Sequence, residues 1–146
     1  MRAAAPGGTV AAFVWDYADG MAVLRVFWDA ATAADPGHAG HDEGARFPIC
    51  RPDALRAAWT AAGLAEVSTA ALEVGRRFAS FDELWRPFVG GQGAAGGYLR
   101  QLDDAARDRV RDEIKARVPV GADGAIELSA RAWAVRGTPR PKPRNV

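Results

Sequence analysis

The apolar residues of this chain alternate between strand-like runs and helical spacing. Residues 9–17 (TVAAFVWDY) form a short apolar, β-branched and aromatic run after a turn signal. Such a run predicts a strand buried on both faces and both edges, of the kind found inside a parallel sheet. From residue 21 to residue 34 the apolar positions recur every three or four residues, which predicts a helix.

The segment after residue 50 carries helix-boundary residues at both ends. Pro52 suits the first position of a helix, Asp53 complements the positive N-terminal dipole, and Gly63 can adopt the left-handed C-terminal cap. This pattern predicts a helix followed by a second strand over residues 65–74. The predicted buried stripe of the helix comprises Leu55, Ala58, Trp59 and Ala62.

The second half of the chain predicts two helices and a last strand. Ser80 and Glu83 form a capping-box pattern at the start of a short helix, which a glycine-rich loop over residues 90–97 follows. Asp103 or Asp104 can cap a charged helix that reaches about residue 118. Residues 125–136 alternate apolar and polar, which predicts a third strand with one less buried face. Residues 138–146 contain three prolines and are predicted to be a disordered tail.

Strands that alternate with helices favour an α/β fold. The predicted sheet has only three strands, and the first of them is of a type that normally has a neighbour on each side. We therefore expect an exposed sheet edge wherever the chain does not supply that neighbour.

Composition narrows the classes of function. The net charge is +1, with 49% hydrophobic and 25% charged residues, so no broad electrostatic attraction to nucleic acid or to a membrane surface is expected. Arginine provides 17 of the 19 basic residues, which points to a GC-rich, bacterial coding genome. Cys50 is the single cysteine, no signal peptide is apparent, and no apolar stretch approaches the ~20 residues of a membrane span. A cytoplasmic location is predicted.

Two motifs suggest chemistry that their context does not support. The segment from Gly91 to Gly96 fits the G-x-G-x-x-G dinucleotide fingerprint, but a helical segment with Pro87 precedes it where a strand is required. We therefore interpret it as a lid or a connection. The metal-type ligands between residues 38 and 50 (His38, His41, Asp42, Glu43 and Cys50) lie in one loop, and a solvated loop is the interpretation favoured over a metal site.

Trp15, Asp16 and Tyr17 stand at the end of the first predicted strand. Ligands of open α/β sheets bind beyond the carboxyl ends of the strands. There the aromatic side chains could stack on a substrate, with Asp16 as hydrogen-bond acceptor or general base. The alternative is that Trp15 and Tyr17 are core residues and Asp16 begins a turn.

The order of these segments resembles one enzyme family. Residues 5–17 (APGGTVAAFVWDY) resemble the Pro-Gly-Gly turn and fifth strand of class I S-adenosylmethionine-dependent methyltransferases of the small-molecule, type 11-like group. RPDALRAAWTAAGL and AEVSTAALEV resemble the next helix and the sixth strand. GAIELSARAWAVRG resembles the seventh strand, which lies antiparallel in that family. FDELWRPFVGGQGAAGGYL resembles an insertion that caps the substrate side in one bacterial subgroup.

The resemblance implies a partial Rossmann-like sheet made of the fifth, sixth and seventh strands with helical insertions. It implies that residues 1–137 are the C-terminal part of a methyltransferase domain and that approximately residues 76–120 are the cap insertion. The family's acidic glycine-rich cofactor loop and its ribose-binding acid precede the fifth strand, so no cofactor-binding residue can be assigned here. By position, Trp15, Asp16, Tyr17 and Gln92 are the predicted substrate-binding residues.

The resemblance thus implies S-adenosylmethionine as cofactor and a small-molecule methyl acceptor as substrate. The chain is expected to be a truncated, substrate-side half that is inactive alone, because its cofactor loop is missing. The alternative function is a non-enzymatic half-domain that associates with itself or another protein through an exposed sheet edge.

Overall fold

A computed structural model describes residues 4–5, 7–35 and 40–140 of the chain. Within these residues it contains three strands: β1 (Val10–Trp15), β2 (Leu64–Phe78) and β3 (Ile126–Pro139). The α-helices are α1 (Ala22–Ala34), α2 (Glu43–Arg46), α3 (Pro52–Ala61), α4 (Phe81–Val89), α5 (Gly93–Leu99) and α6 (Asp104–Arg117). A short 3-10 helix, Pro48–Cys50, precedes α3. The prediction of an α/β chain is confirmed.

The three strands form one sheet in the order β1-β3-β2. Strand β3 runs antiparallel to both neighbours, so β1 and β2 run parallel to one another without touching. Ala132 of β3 lies between Trp15 of β1 and Leu72 of β2. Because side chains alternate along a strand, these three residues share one face, and Arg131 and Trp133 point to the other.

Helices cover different ends of the two faces. We call the side on which Ile126, Leu128 and Ala132 lie the helical face, because Ile126 and Leu128 pack there against α1, α4, α5 and α6. The opposite face carries Trp133 and Val135, and α3 lies against the β2 end of it. Each helix layer therefore leaves part of its face uncovered.

An aromatic cluster joins the helices of the larger core. The ring of Phe27 stacks on Phe88 at 4.7 Å and meets Trp28 edge-on at 5.1 Å between ring centroids. Tyr98 contacts both α1 aromatics. Val110, Ile114 and Val118 of the α6 segment are buried in the same core.

The prediction that β1 is buried on both faces and both edges is wrong. Strand β1 is an edge strand that pairs with β3 alone among the described residues, and most of its side chains are exposed. An apolar run shows that its side chains suit a pleated, buried surface. It does not show whether other elements bury that surface, and here β3 pairs with only one edge of β1.

Two helical predictions also need correction. The segment over residues 90–97 is not a simple loop, because α5 begins at Gly93 and buries Ala95, Tyr98 and Leu99. Gly96 permits this packing, since a Cβ there would lie 2.5 Å from the Gly91 carbonyl carbon. In α3, Leu55 is buried and Gly63 adopts the expected left-handed backbone, but Ala58 and Ala62 of the predicted stripe are exposed.

The strands extend beyond their predicted ends. Strand β2 reaches Phe78 and β3 reaches Pro139, so the predicted tail at residues 138–146 begins inside a strand. Residues 141–146 of that tail lie outside the described residues. Across the described part of the chain, no helix has the length and apolar character needed to span a membrane.

Candidate functional site

The turn after β1 closes on the backbone of Asp16. The Asp16 carbonyl oxygen accepts hydrogen bonds from the Gly20 and Met21 amides, each at 3.0 Å, and α1 begins immediately afterwards. The Asp16 carboxylate accepts a further bond from the Asp19 amide at 3.2 Å. A four-residue turn thus fixes the acid at the carboxyl end of β1.

A buried ion pair holds the Asp16 side chain. Arg131 of β3 donates to Asp16 Oδ2 through Nε at 2.8 Å and through Nη2 at 2.7 Å. Asp16 is 2% exposed, whereas the Arg131 side chain keeps 29% of its surface in solvent. Gly20 makes this approach feasible, because a Cβ at that position would lie 2.6 Å from Arg131 Cβ.

The Asp16 carboxyl is ionised, and its oxygens already accept hydrogen bonds from the protein. Burial by itself raises its pKa, but the hydrogen bond and charge of Arg131 and the Asp19 amide outweigh burial, so the pKa of Asp16 falls below its ordinary value. A carboxylate with a lowered pKa that already accepts three hydrogen bonds is a weak general base at neutral pH. The geometry favours the hydrogen-bonding role of Asp16 over the general-base role.

A cleft of about 470 Å³ opens beside this ion pair. Its walls come from Asp16 and Asp19, from Arg131 and Trp133 of β3, and from the start of α3 at Arg51. The Arg131 guanidinium lies 5.2 Å from the centre of the Trp133 ring and 3.5 Å from the Glu73 carboxylate. The cleft therefore combines an aromatic surface with charges of both signs, beyond the carboxyl end of β1.

The four predicted substrate-binding residues do not converge on this cleft. Asp16 lines it, whereas Trp15 lies on the helical face beside Ala132. Tyr17 packs against Phe47, with ring centroids 6.0 Å apart, and burial together with Glu43 raises the pKa of its hydroxyl. Gln92 is exposed at the start of α5, outside the cleft wall.

The loop before α3 is held to α1 by its acidic residues. Trp28 Nε1 donates to the buried Glu43 carboxylate at 2.5 Å, and Arg25 pairs with Asp42, which also caps α2. These two acids therefore tie the loop to α1, while most of its described residues, including His41 and residues 45–49, remain exposed. His38 lies outside the described residues, and the residues that are described contain no group of three or more metal-type ligands.

Cys50 lies in the same region as a buried free thiol. Burial, and secondarily the Asp16 charge, raises the pKa of the Cys50 thiol. Raising the pKa depletes the reactive thiolate at neutral pH. The Cys50 thiol is therefore poorly suited to act as a nucleophile.

Arg131 and Trp133 are site residues that the sequence pattern did not single out. Alternation in the third predicted strand places both on one face, which is a real signal. What alternation cannot supply is the partner, since Arg131 meets Asp16 across 115 positions of sequence.

Comparison with known protein families gives no match for this chain, and no curated protein matches it either. Function is therefore argued from the residues and the geometry of the cleft.

Proposed function

We propose that the chain is the substrate-side part of an S-adenosylmethionine-dependent methyltransferase, and that its cleft binds and orients a small-molecule methyl acceptor. The observation that carries the proposal is the cleft at the carboxyl end of β1, where Asp16, Arg131 and Trp133 meet. Ligands of α/β sheets bind beyond strand ends of this kind. The antiparallel direction of β3 supports the assignment, because the resemblance implies it for the seventh strand.

The side chains of the cleft suit a positioning role. Methyl transfer from a sulfonium is an in-line displacement promoted mainly by proximity and orientation, so it does not depend on a strong base. Arg131, held by Asp16 and Glu73, offers fixed hydrogen-bond donors, and Trp133 offers a ring face against which an acceptor can stack. Together they would fix one orientation of the acceptor.

The chain's own residues do not fit the cofactor. The glycine-rich segment at residues 91–96 leaves no cradle for a nucleoside, because Gly96 packs directly on the Gly91 backbone. No acidic glycine-rich loop that directly follows a strand, as the family's cofactor loop does, occurs elsewhere in the sequence. We therefore expect calorimetry to show no S-adenosylmethionine binding by this chain, and tight one-to-one binding would contradict that expectation.

The functional test is methyl transfer from radiolabelled S-adenosylmethionine to a panel of small-molecule acceptors. It compares the chain with the same chain extended by any coding sequence found in frame before Met1. We expect transfer by the extended polypeptide only. In that polypeptide Trp133→Leu should lower the rate at least about tenfold, since the acceptor loses its stacking surface.

The matched control is Trp59→Leu, which replaces a half-buried tryptophan of α3 that is not part of the cleft wall. If Trp133→Leu and Trp59→Leu reduce the rate of methyl transfer equally, the cleft is not where the acceptor binds. An extended polypeptide that methylates no acceptor in the panel would contradict the proposed function itself.

A further inference from the structure

Part of the helical face of the sheet is apolar and uncovered. Four large side chains on the outer strands are exposed there: Phe13 at 67%, Trp15 at 40%, Leu72 at 51% and Val74 at 61%. The register places Trp15, Ala132 and Leu72 in one row and Phe13, Ala134 and Ala70 in the next, so the exposed groups adjoin one another. We call this surface the apolar patch.

A solvated sheet face normally carries polar side chains. The opposite face follows that rule where helices leave it bare, since Glu73, Arg77, Glu127 and Arg131 lie there in ion pairs. On the helical face the uncovered positions beside Ala130, Ala132 and Ala134 are aromatic and aliphatic, and the exposed Arg76 and Arg136 lie beyond the two ends of this apolar stretch. This composition is the one found at interfaces, where a second layer covers the sheet.

The patch has both raised and recessed regions. A hollow of about 470 Å³ lies next to the Phe13 row, and its lining combines the small side chains of Ala11, Ala70 and Ala134 with Ser68 and Arg136, which are hydrogen-bonded to each other. Large side chains stand on one side of it, at Trp15 and Leu72. A surface that carries both projections and a hollow can pack against a copy of itself.

We propose that the apolar patch packs against the same patch of a second copy of this chain, related by a two-fold axis. In such an isologous contact, Phe13 of each copy enters the alanine-lined hollow of the other. The two sheets then lie about 10 Å apart, as in a sandwich. The contact is independent of the proposed methyl transfer, because the cleft lies on the opposite face.

The available area supports a dimer. Side chains of this size carry roughly 150–250 Å² each, so the exposed parts of the four large ones amount to about 400 Å² per copy. With the alanines and adjoining backbone, two copies would bury about 1,000 Å² in total, the lower limit for a specific interface. The absence of any charged side chain within Val10–Trp15 leaves nothing in β1 to oppose the contact.

Light scattering coupled to size exclusion tests the proposal on the full chain. We expect a mass of twice the 15.5 kDa of one chain at micromolar concentration. Phe13→Lys and Leu72→Lys, on the two outer strands, should each raise the dissociation constant at least about tenfold, because each places an unpaired charge in the apolar contact. Val89→Lys is the matched control, since Val89 is an exposed aliphatic residue at the end of α4. Its mass should stay that of the dimer.

Each other outcome overturns the proposal in a distinguishable way. A wild-type chain that is monomeric at all concentrations means that no second copy occupies the patch. If Phe13→Lys dissociates the dimer and Leu72→Lys does not, the copies pair through the free edge of β1. If Val89→Lys dissociates it equally, the contact lies on the helices. Circular dichroism of every variant checks that loss of mass is not loss of fold.

Discussion

The Asp16–Arg131 pair ties the end of β1 to the middle of β3. Replacing Asp16 by Asn keeps the size of the side chain and removes its charge, which leaves Arg131 to the weaker, more exposed Glu73. Removing one partner of a fully buried pair costs about 3–5 kcal/mol. Because Arg131 keeps solvent contact, we expect Asp16→Asn to lower the free energy of unfolding by about 2–3 kcal/mol in urea titrations. Asp53→Asn, at a 92% exposed side chain, is the control and should change it by less than about 0.5 kcal/mol.

The same pair predicts a pH dependence. The folded pKa of Asp16 is lower than its unfolded value near 3.8, so the unfolded chain binds the proton more readily. This contribution to stability is therefore fully present above the unfolded pKa and is lost as the pH falls through the folded pKa. Asp123 also has a lowered pKa, because the Ala125 amide and Arg77 bind its carboxylate, so it contributes in the same range. The difference between wild type and Asp16→Asn in acid titrations isolates Asp16: it should shrink below about pH 4. A constant difference across that range would contradict the assignment.

Gly20 is required by close packing rather than by backbone conformation. A Cβ at Gly20 would lie 2.8 Å from both Arg131 Nε and Asp16 Oδ2, and these atoms cannot separate without breaking the pair. We expect Gly20→Ala to destabilise the chain by about 1–3 kcal/mol, as overpacking does. Gly75→Ala on β2 has open space around it and should be nearly neutral. Thermal unfolding of the two variants, followed by circular dichroism, makes the comparison.

Single residues were predictable from sequence where the cause is local. Asp16 stands out because it lies at the end of a strand-like run, and Gly63 because it follows a helical one. Arg131 becomes a site residue only through a partner 115 positions away, and Gly20 only through the side chain that approaches it. Neither cause can be recognised from the neighbouring sequence.

At the scale of elements, the cap of α6 gives a clear test. The sequence left Asp103 and Asp104 as alternatives, and the structure assigns the cap to Asp103, whose Oδ1 accepts from the Ala106 amide at 2.7 Å. Asp103→Ala should cost about 1 kcal/mol of unfolding free energy, the usual worth of an N-cap. Asp104→Ala removes only an exposed pair with Arg107 and should cost less than about 0.5 kcal/mol. Equal losses would mean that the helix dipole, rather than the cap, carries the effect.

Helix boundaries were predictable and the packing of elements was not. Caps depend on neighbouring residues, which is why they can be predicted from sequence. Helix α3 begins at Pro52 and ends just before Gly63, and α4 begins at the Ser80–Glu83 capping pattern. Strand β1 was expected in the interior of a sheet, yet whether an edge is covered depends on β3, more than a hundred positions away. Helix α5 was missed because its glycines, poor helix formers, are favoured by the close contact between Gly96 and Gly91.

At the scale of the whole molecule, the two faces of the sheet carry different features. The helical face carries the larger core at one end and the apolar patch at the other. The opposite face carries α3 and the cleft. Because β3 contributes side chains to the core, the cleft and the patch, its antiparallel course between β1 and β2 sets the relative positions of all three. The composition of the strands alone did not reveal this division.

Stability of the whole molecule should depend most on the aromatic cluster around Phe27. This side chain is fully buried, joins α1 to α4 through Phe88, and contacts Trp28 and Tyr98. Phe27→Ala removes those contacts and leaves a cavity, for which a cost of about 3–5 kcal/mol is expected. That is a large part of the total of about 5–15 kcal/mol that holds a domain folded, so near-ultraviolet circular dichroism should show weakened tertiary packing. Phe47→Ala, at a ring that is 41% exposed, makes the same chemical change outside the core and should cost about 1 kcal/mol or less. If the two variants unfold at the same urea concentration, the helices do not share one cooperative core, and the sheet would have to hold the fold together by itself.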